Sequence, residues 1–421
     1  MQFKQYPSYK PSGVEWLGDV PEHWEVIPSK FYFTERKEKA ESSDKQLTAS
    51  QKYGIIFQED FMAENGRVMV VMKNPEILKK VRPNDFVISM RSFQGGLELS
   101  YLEGSISSAY VMLKPNLNVV DIEYFKYSFK TTRYIQSLQS TSNLIRDGQA
   151  LRFNNFSQVK LVLPPKADQQ KIVSFLDTET TRIDNLITKQ EKLIELLEEQ
   201  RKSIISHAVT KGLNPNAPMK DSGVEWLGEV PESWVEQKIK FISKLINEKT
   251  SEKSNVIALE NIESWTGKYI ETESSFESDA VKFKKNDVLF GKLRPYLAKV
   301  YLVENQGEAV GDIYVLRPNK LIHPQFLKFF MLSEKFIDYV NSSTNGTKMP
   351  RANWDFIGCI SIFLPHIKVQ HEIVEYLESA VLKIELIINK QISLIEKLKE
   401  YRSSIISHAV TGKIDVRELD A

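Results

Sequence analysis

The sequence predicts an α+β protein built as two domains in tandem, each followed by a long helix. The two helices pair as an antiparallel coiled coil with internal pseudo-two-fold symmetry. Three observations predict it. Blocks from the first half of the 421-residue chain return in order in the second. Two long runs without Pro or Gly carry an apolar stripe at helical spacing. The segments between them mix short apolar runs with turn residues, as small α+β domains do.

The repeats come first, because a duplicated chain has to be read as one unit used twice. Ser12-Gly13-Val14-Glu15-Trp16-Leu17-Gly18-Asp19-Val20-Pro21-Glu22-His23-Trp24 returns as Ser222-Gly223-Val224-Glu225-Trp226-Leu227-Gly228-Glu229-Val230-Pro231-Glu232-Ser233-Trp234, with two positions changed. Ser203-Ile204-Ile205-Ser206-His207-Ala208-Val209-Thr210 returns unchanged as residues 404–411. Between them, Leu163-Pro164, Gln169, Ile172-Val173 and Leu176 match Leu364-Pro365, Gln370, Ile373-Val374 and Leu377. A period of about 200 residues is too long for a solenoid unit, so each half is a domain plus an extension. The expected divisions are a first domain over 1–165, a helix over 166–211, a second domain over 212–365, a helix over 366–411 and a tail over 412–421.

Within the domains, Asp85 to Ser89 and Asp287 to Gly291 each follow a turn-type Asn and read as strands. Val300 to Val303 and Ile313 to Leu316 add two more. Pro324 to Val340 has helical spacing through Phe326, Phe329-Phe330, Ile337 and Val340. The four repeated tryptophans, Trp16, Trp24, Trp226 and Trp234, anchor each entrance segment to its domain.

The first long helix repeats Ile183, Leu186, Gln190, Leu193, Leu197, Gln200 and Ile204. The second repeats Ile384, Ile387, Gln391, Leu394, Leu398, Tyr401 and Ile405. Steps alternating between three and four define a heptad seam with Glu and Lys on its flanks. The alternative is that each helix covers only its own domain with an amphipathic face. Gln190 and Gln391, at equivalent seam positions, either fix register or occupy a wet spot. At ~43 residues each helix is about 65 Å long. An internal two-fold axis pairs them antiparallel and places the domains at opposite ends of a rigid spacer.

Composition excludes several classes. With 56 Lys+Arg against 55 Asp+Glu the net charge is +1, which excludes a polybasic binder and leaves only local clusters for nucleic acid. Residues 1–165 carry 21 basic and 18 acidic side chains, and residues 211–365 carry 20 of each. The single cysteine excludes a disulfide framework and a Cys-based zinc site; Cys359, in the apolar run Ile357 to Phe363, reads as a buried filler. No apolar run approaches the roughly 20 residues of a membrane helix, and the first residues lack a signal peptide's apolar stretch, so the expectation is a cytoplasmic protein without a membrane partner.

Catalytic motifs are not found. There is no phosphate-binding Gly-rich loop, nucleophile elbow or H-E-x-x-H, and no Asn-Pro-Pro-aromatic tetrad: Asn74-Pro75 is followed by Glu76 and Asn214-Pro215 by Asn216. His207 and His408 lack an acidic or nucleophilic neighbour. They suit the negative end of a helix dipole better than catalysis. No catalytic residue and no metal ligand is expected.

Gly-Val-Glu-Trp-Leu-Gly…Val-Pro-Glu-x-Trp at each entrance, Leu-Pro-(x)4-Gln-x-x-Ile-Val before each helix and Ser-Ile-Ile-Ser-His-Ala-Val-Thr at its end resemble the specificity (S) subunits of type I restriction-modification systems. Asn286 to Leu297 is similar to the family's second-half recognition domains. The resemblance spans essentially the whole chain. It implies that each domain is a target recognition domain, that the protein is not an enzyme, and that the helices set the gap between two half-sites of a bipartite DNA sequence. The implied partners are double-stranded DNA, methyltransferase (M) subunits, two of them, and restriction/translocase (R) subunits. No cofactor is implied in this chain; S-adenosylmethionine, ATP and magnesium belong to the partners. Two other readings stay open: the recognition subunit of a related system whose partner fuses methylation and cleavage, and a coiled-coil scaffold that binds proteins.

In that family, Gly-containing loops contribute to the DNA surface. Here they lie at residues 89–96 and 140–152 of the first half, and at 292–296 and 342–351 of the second. The residues so implicated are Arg91, Gln94, Arg146, Gln149 and Arg152, and Lys292, Arg294, Tyr296, Asn345, Lys348 and Arg351. Arg, Lys, Asn and Gln are the side chains that read base edges or hold phosphates. The alternative for each is a solvated charge or the partner of a carboxylate. Weak net charge implies that the chain alone binds DNA poorly and relies on its partners for phosphate contacts.

Overall fold

The computed structural model describes residues 3–66, 77–141, 151–251, 254–272, 280–344 and 348–418. They form two compact units. Unit 1 contains residues 1–188 and 394–421, and unit 2 is the continuous stretch 189–393. Each unit joins one α+β domain to half of each long helix.

The centre of unit 1 is a four-stranded antiparallel sheet in the order Phe33–Arg36, Val111–Pro115, Phe86–Ile88, Glu98–Leu99. Its counterpart in unit 2 has the order Ser243–Ile246, Ile313–Pro318, Val288–Gly291, Val300–Leu302. Asn84 (φ 75°) and Asn286 (φ 72°) take the left-handed conformation that the turn before each central strand requires. Aromatic rings fill the space under the first sheet: Phe33, Phe86, Phe125, Phe129 and Phe156 all lie within a mesh of 5.0–5.9 Å centroid separations. In unit 2, Phe290, Phe326, Phe330 and Phe336 occupy the same layer. Beyond the central sheet, unit 1 pairs Lys79–Val81 with Gly104–Ile106, flanked by single bridges from Lys39 to Lys79 and from Gln46 to Ser105, and adds the hairpin of Leu47–Ser50 with Gly54–Phe57. Unit 2 carries a second four-stranded sheet through Lys249–Thr250, Ala280–Phe283, Gly307–Val310 and Val256–Ile257.

The Pro324 to Val340 segment is not one helix. It divides into Pro324–Leu332 and Glu334–Ser342 at Ser333, whose extended backbone (φ −67°, ψ 139°) breaks the run while both pieces keep their apolar face inward. The entrance tryptophans pack as anchors. Trp24 and Trp234 are buried, Trp16 meets Tyr134 edge-on at 6.2 Å, and Trp226 stacks on Tyr339 at 5.1 Å.

The long helices span Lys166–Lys211 and Ile367–Val410. Each starts at the same lock. The buried Gln169 side chain accepts from Asp121 N (2.7 Å) and donates to the carbonyls of Val119 (2.9 Å) and Pro164 (2.8 Å). Gln370 repeats this with His323 N (2.8 Å), Leu321 O and Pro365 O (both 3.0 Å). One uncharged side chain thus satisfies one buried and two partly buried backbone groups in each unit.

Within unit 1 the halves of the two helices run in opposite directions. Lys171 donates to the carbonyl of Arg417, while further along Asp184 accepts a two-pronged bond from Arg402 at 2.8 and 3.1 Å. Ile183, Ile405 and Ile406 share one core there, with Ile187 and Leu398 packed on it. In unit 2 the complementary halves meet around Leu197, Ile384 and Ile388, with Ile194 and Ile204 at the edge.

The seam differs from the expected one at alternate positions. Ile183, Leu197, Ile384 and Ile405 are buried and Gln190, Ile204, Gln391 and Leu398 half-buried. Leu193 (38% exposed), Ile387 (41%) and Leu394 (40%) instead face solvent, and Leu186 is only half-buried. The contact moves one residue on, to Ile187, Ile194, Ile388 and Ile395, so its steps run four then three rather than three then four. Both frames carry apolar residues in this sequence, so spacing alone did not choose between them. The inward position in each pair is an isoleucine, whose branched Cβ suits a knob position in the seam.

Past the helices, Gly212 (φ 77°) and Gly412 (φ 72°) end them in the left-handed conformation. A Cβ on Gly412 would lie 2.3 Å from Pro21 and 2.9 Å from Trp24. After Gly412 the tail lies along the N-terminal segment before the first strand, bridging Lys4 through Asp415. Asp415 N donates to Lys4 O at 2.8 Å, Ile414 and Val416 are buried, and Arg417 covers the Tyr6 ring at 4.8 Å. No helix of the described residues is long and apolar enough to cross a membrane.

Candidate nucleic-acid interface

The candidate residues of unit 2 are brought together at the end of the Val288–Gly291 strand. There the chain makes two left-handed turns at non-glycine residues, Arg294 (φ 49°) and Ala298 (φ 47°), either side of Pro295. The loop is clamped to the 350–352 segment: Arg294 N donates to Pro350 O, Ala352 N donates to Lys292 O, and Leu293 bridges Arg351. Asp312, at a tight turn after Gly311, gathers the charges. It pairs with Arg351 at 2.9 Å and Lys292 at 3.7 Å. Lys292 also lies 5.4 Å from the Tyr314 ring centroid. Burial pushes the Tyr314 phenol up, and its hydroxyl donates to Ala352 O. Arg294 and Tyr296 are exposed, as are Lys348 and Met349 beside them. Arg294 and Lys348 make no ion pair among the described residues, so two cations stay available beside Lys292 and Arg351, which share the single negative charge of Asp312. Asn345 lies outside the described residues.

In unit 1 the matching strand, Phe86–Ile88, runs into Ser89 and Met90, then a short helix, Ser92–Gly95, with Arg91 at its start. The Ser92 hydroxyl accepts from Ser89 N at 2.8 Å and fixes the turn. Gly96 (φ 79°) closes it against the Phe129 carbonyl, where a Cβ would stand 2.1 Å away. Arg91 and Gln94 are exposed and share the surface with half-exposed Met90 and Phe93. Gln139 Nε2 donates to the Phe93 carbonyl, tying this helix to Thr132–Ser140. Arg152 is exposed at the start of the Phe153–Gln158 helix, whose Asn155 donates to Thr141 O at 3.0 Å. Arg91 and Arg152 make no ion pair among the described residues. Arg146 and Gln149 lie outside the described residues.

Sequence reasoning missed Asp312, which sets the charge balance of the second loop, and the exposed Met90, Phe93 and Met349. The signal for Asp312 was its Gly311-Asp312 turn. The apolar residues carried none, since one exposed methionine is ordinary. Cys359 is exposed rather than buried; it ends the Trp354–Cys359 helix, where Lys240 Nζ lies 3.6 Å from its sulfur. The apolar run spans the end of this helix and the Ser361–Leu364 strand, and Cys359 lies on the outer side of the last helical turn while Ile357 and Gly358 face inward. Among the described residues no three His, Cys, Asp or Glu gather as metal ligands would.

The arrangement presents, in each unit, a polar loop at one end of the central sheet, with an arginine that has no ion pair among the described residues, Arg91 beside Gln94 in unit 1 and Arg294 beside Lys348 in unit 2. That suits hydrogen bonding to base edges and phosphates.

Comparison with known proteins gives a consistent answer. The chain is 27% identical over 427 residues to the type I restriction enzyme MjaVIII specificity subunit of Methanocaldococcus jannaschii, covering 95% of both. It is 23% identical over 287 residues to the EcoDI specificity subunit of Escherichia coli, covering 63% of this chain and 64% of that one. Two solved structures share the fold. One, from a study of complex assembly and conformational transition in the type I restriction-modification system, aligns with TM-score 0.68 at 12% identity over 93% of this chain and 98% of that chain. The other, the HsdS subunit from Thermoanaerobacter tengcongensis, gives 0.56 at 13% identity over 94% and 98%. The type I restriction modification DNA specificity domain matches twice, over residues 35–197 and 231–397, and the chain belongs to that family.

Proposed function

We propose that this chain is the specificity subunit of a type I restriction-modification complex. Each domain reads one half of a bipartite double-stranded DNA target, and the subunit directs methyltransferase and restriction subunits to it. The observation that carries this is the contrast inside each unit: entrance and helix-end blocks repeated nearly residue for residue accompany a polar loop that differs between the two. A shared frame suits two copies of one partner, while different loops suit two different half-sites. The chain itself is non-catalytic. S-adenosylmethionine, ATP and magnesium belong to the partners, and two methyltransferase subunits occupy the repeated surfaces.

Methylome sequencing of cells carrying the complex tests this. The expected result is one bipartite motif. Arg294→Ala with Lys348→Ala should alter one half-site, and Arg91→Ala with Gln94→Ala the other. A motif unchanged by both pairs, or both half-sites changed by one pair, would refute the assignment of loops. Inserting four residues at matched places in both helices lengthens each by ~6 Å and should widen the gap between unchanged half-sites by about two base pairs. An unchanged gap would remove the helices from that role.

A further inference from the structure

Each unit leaves one large aromatic ring in solvent at the same place. Lys30-Phe31 and Lys240-Phe241 stand 210 residues apart, the offset of the entrance blocks. Phe31 is 64% exposed and Phe241 61%, although each directly precedes a buried residue, Tyr32 or Ile242. In both, the preceding lysine arches over the ring, at 5.6 and 5.4 Å from its centroid. A second apolar side chain stands beside each. Asn116 N donates to Tyr32 O at 2.8 Å and Asn319 N to Ile242 O at 2.9 Å, which brings up Leu117 (48% exposed) and Leu321 (54% exposed). The residues around these pairs have diverged, Ser29 against Ile239 and Phe33 against Ser243, but the exposed pair persists in both copies.

Sheet register places this patch away from the candidate DNA loops. In unit 1, Phe33 pairs with Pro115, and Val111 pairs with Ile88, from which the chain passes to Arg91. In unit 2, Ser243 pairs with Pro318, and Ile313 with Gly291, which leads to Arg294. The exposed phenylalanine and the polar loop therefore sit at opposite ends of the central sheet, on the order of 15 Å apart along the strands. An aromatic at the DNA-reading end suits base stacking; one at the far end, twice, suits a protein.

We infer that Phe31 with Leu117, and Phe241 with Leu321, are equivalent docking sites for two copies of one protein, the methyltransferase subunit, each offering an apolar pocket with an acidic rim for Lys30 or Lys240. The inference rests on the reading given under Proposed function and adds the surface. Its test is a titration of the full chain with purified methyltransferase subunit, with copies counted by native mass spectrometry. The wild-type chain takes two. Phe31→Glu and Phe241→Glu each weaken one of the two binding events about tenfold or more, and the double variant weakens both. Leu117→Glu with Leu321→Glu acts in the same direction. Both rings are already in solvent, so thermal unfolding of the variants should match wild type; a variant that melts early is replaced by Phe→Ser at the same position and read the same way. The inference is overturned if the double variant keeps both wild-type affinities. It is also overturned if methyltransferase binding is unchanged while DNA affinity or self-association of the chain falls. A wild-type chain that binds no methyltransferase subunit refutes the underlying function first, and the docking with it.

Discussion

At the base of the strand that ends in each polar loop lies a buried carboxylate, Asp85 in unit 1 and Asp287 in unit 2, and the arginine that neutralises it comes from different strands. Arg36, on Phe33–Arg36, grips Asp85 at 2.6 and 2.9 Å. Arg317, on Ile313–Pro318, grips Asp287 at 2.8 and 2.7 Å. Register makes the exchange reciprocal: Ile246 stands where Arg36 does, and Lys114 where Arg317 does. The requirement retained is the ion pair under the loop, not the residue that supplies it. The same holds at the chain's joints. Unit 2 receives its entrance strand covalently from Lys211 onward, whereas unit 1 closes the equivalent joint by laying the C-terminal tail on residues near Lys4.

Removing the tail after Thr411 breaks this comparison most severely. It withdraws buried Ile414 and Val416, worth roughly 3–6 kcal/mol together, from unit 1 alone. Hydrogen exchange should quicken in the unit 1 core and stay unchanged in unit 2; equal loss in both would show that the two units are not separately closed. Next in size, Arg36→Ala leaves Asp85 buried and unpaired and should cost about 3 kcal/mol or more in denaturant unfolding. Arg317→Ala should cost less, because the Arg317 side chain is 35% exposed and solvent already screens the pair. Rebuilding the unit 2 solution in unit 1, as Arg36→Ile with Lys114→Arg, should recover most of the loss. No recovery would refute the exchange.

The glutamine locks should behave alike. Gln169→Ala and Gln370→Ala each strand one buried and two partly buried backbone groups, and each should destabilise its unit by about 2 kcal/mol. A large inequality would mean that one lock is dispensable. Smallest is the loop backbone. Arg294→Gly removes a left-handed non-glycine residue and should raise stability by up to ~1 kcal/mol while weakening DNA binding. Arg91 has φ −105°, so Arg91→Gly should weaken DNA binding without that gain.

How much was legible in the sequence follows from the range of each interaction. The duplication, the long helices and the turn asparagines at 84 and 286 are local patterns, and each stands in the structure. The helix seam was half legible, because Leu186-Ile187, Leu193-Ile194, Ile387-Ile388 and Leu394-Ile395 offer an apolar residue in either frame. Packing against a neighbour chooses between them, and the sequence of one helix does not contain its neighbour. The Asp85 and Asp287 pairings were hidden for the same reason, since the arginine lies 49 residues before one and 30 after the other. Of the candidate DNA residues, the 292–296 and 348–351 positions do gather around one loop. The Asp312 that neutralises part of their charge was out of reach of any local motif.

The closure of unit 1 by the chain's last residues also sets an order of events during synthesis. Unit 2 is continuous and has all its residues once Ser393 is made, while unit 1 begins at the N-terminus and lacks residues 394–421 until the end. At typical translation rates of about 5–20 residues per second, the first domain waits roughly 10–50 s between the addition of Thr188 and that of the final residue. The domain made first is thus the one completed last. A chain stalled before Leu394 leaves unit 1 without its part of the second long helix, while unit 2 already has all its residues.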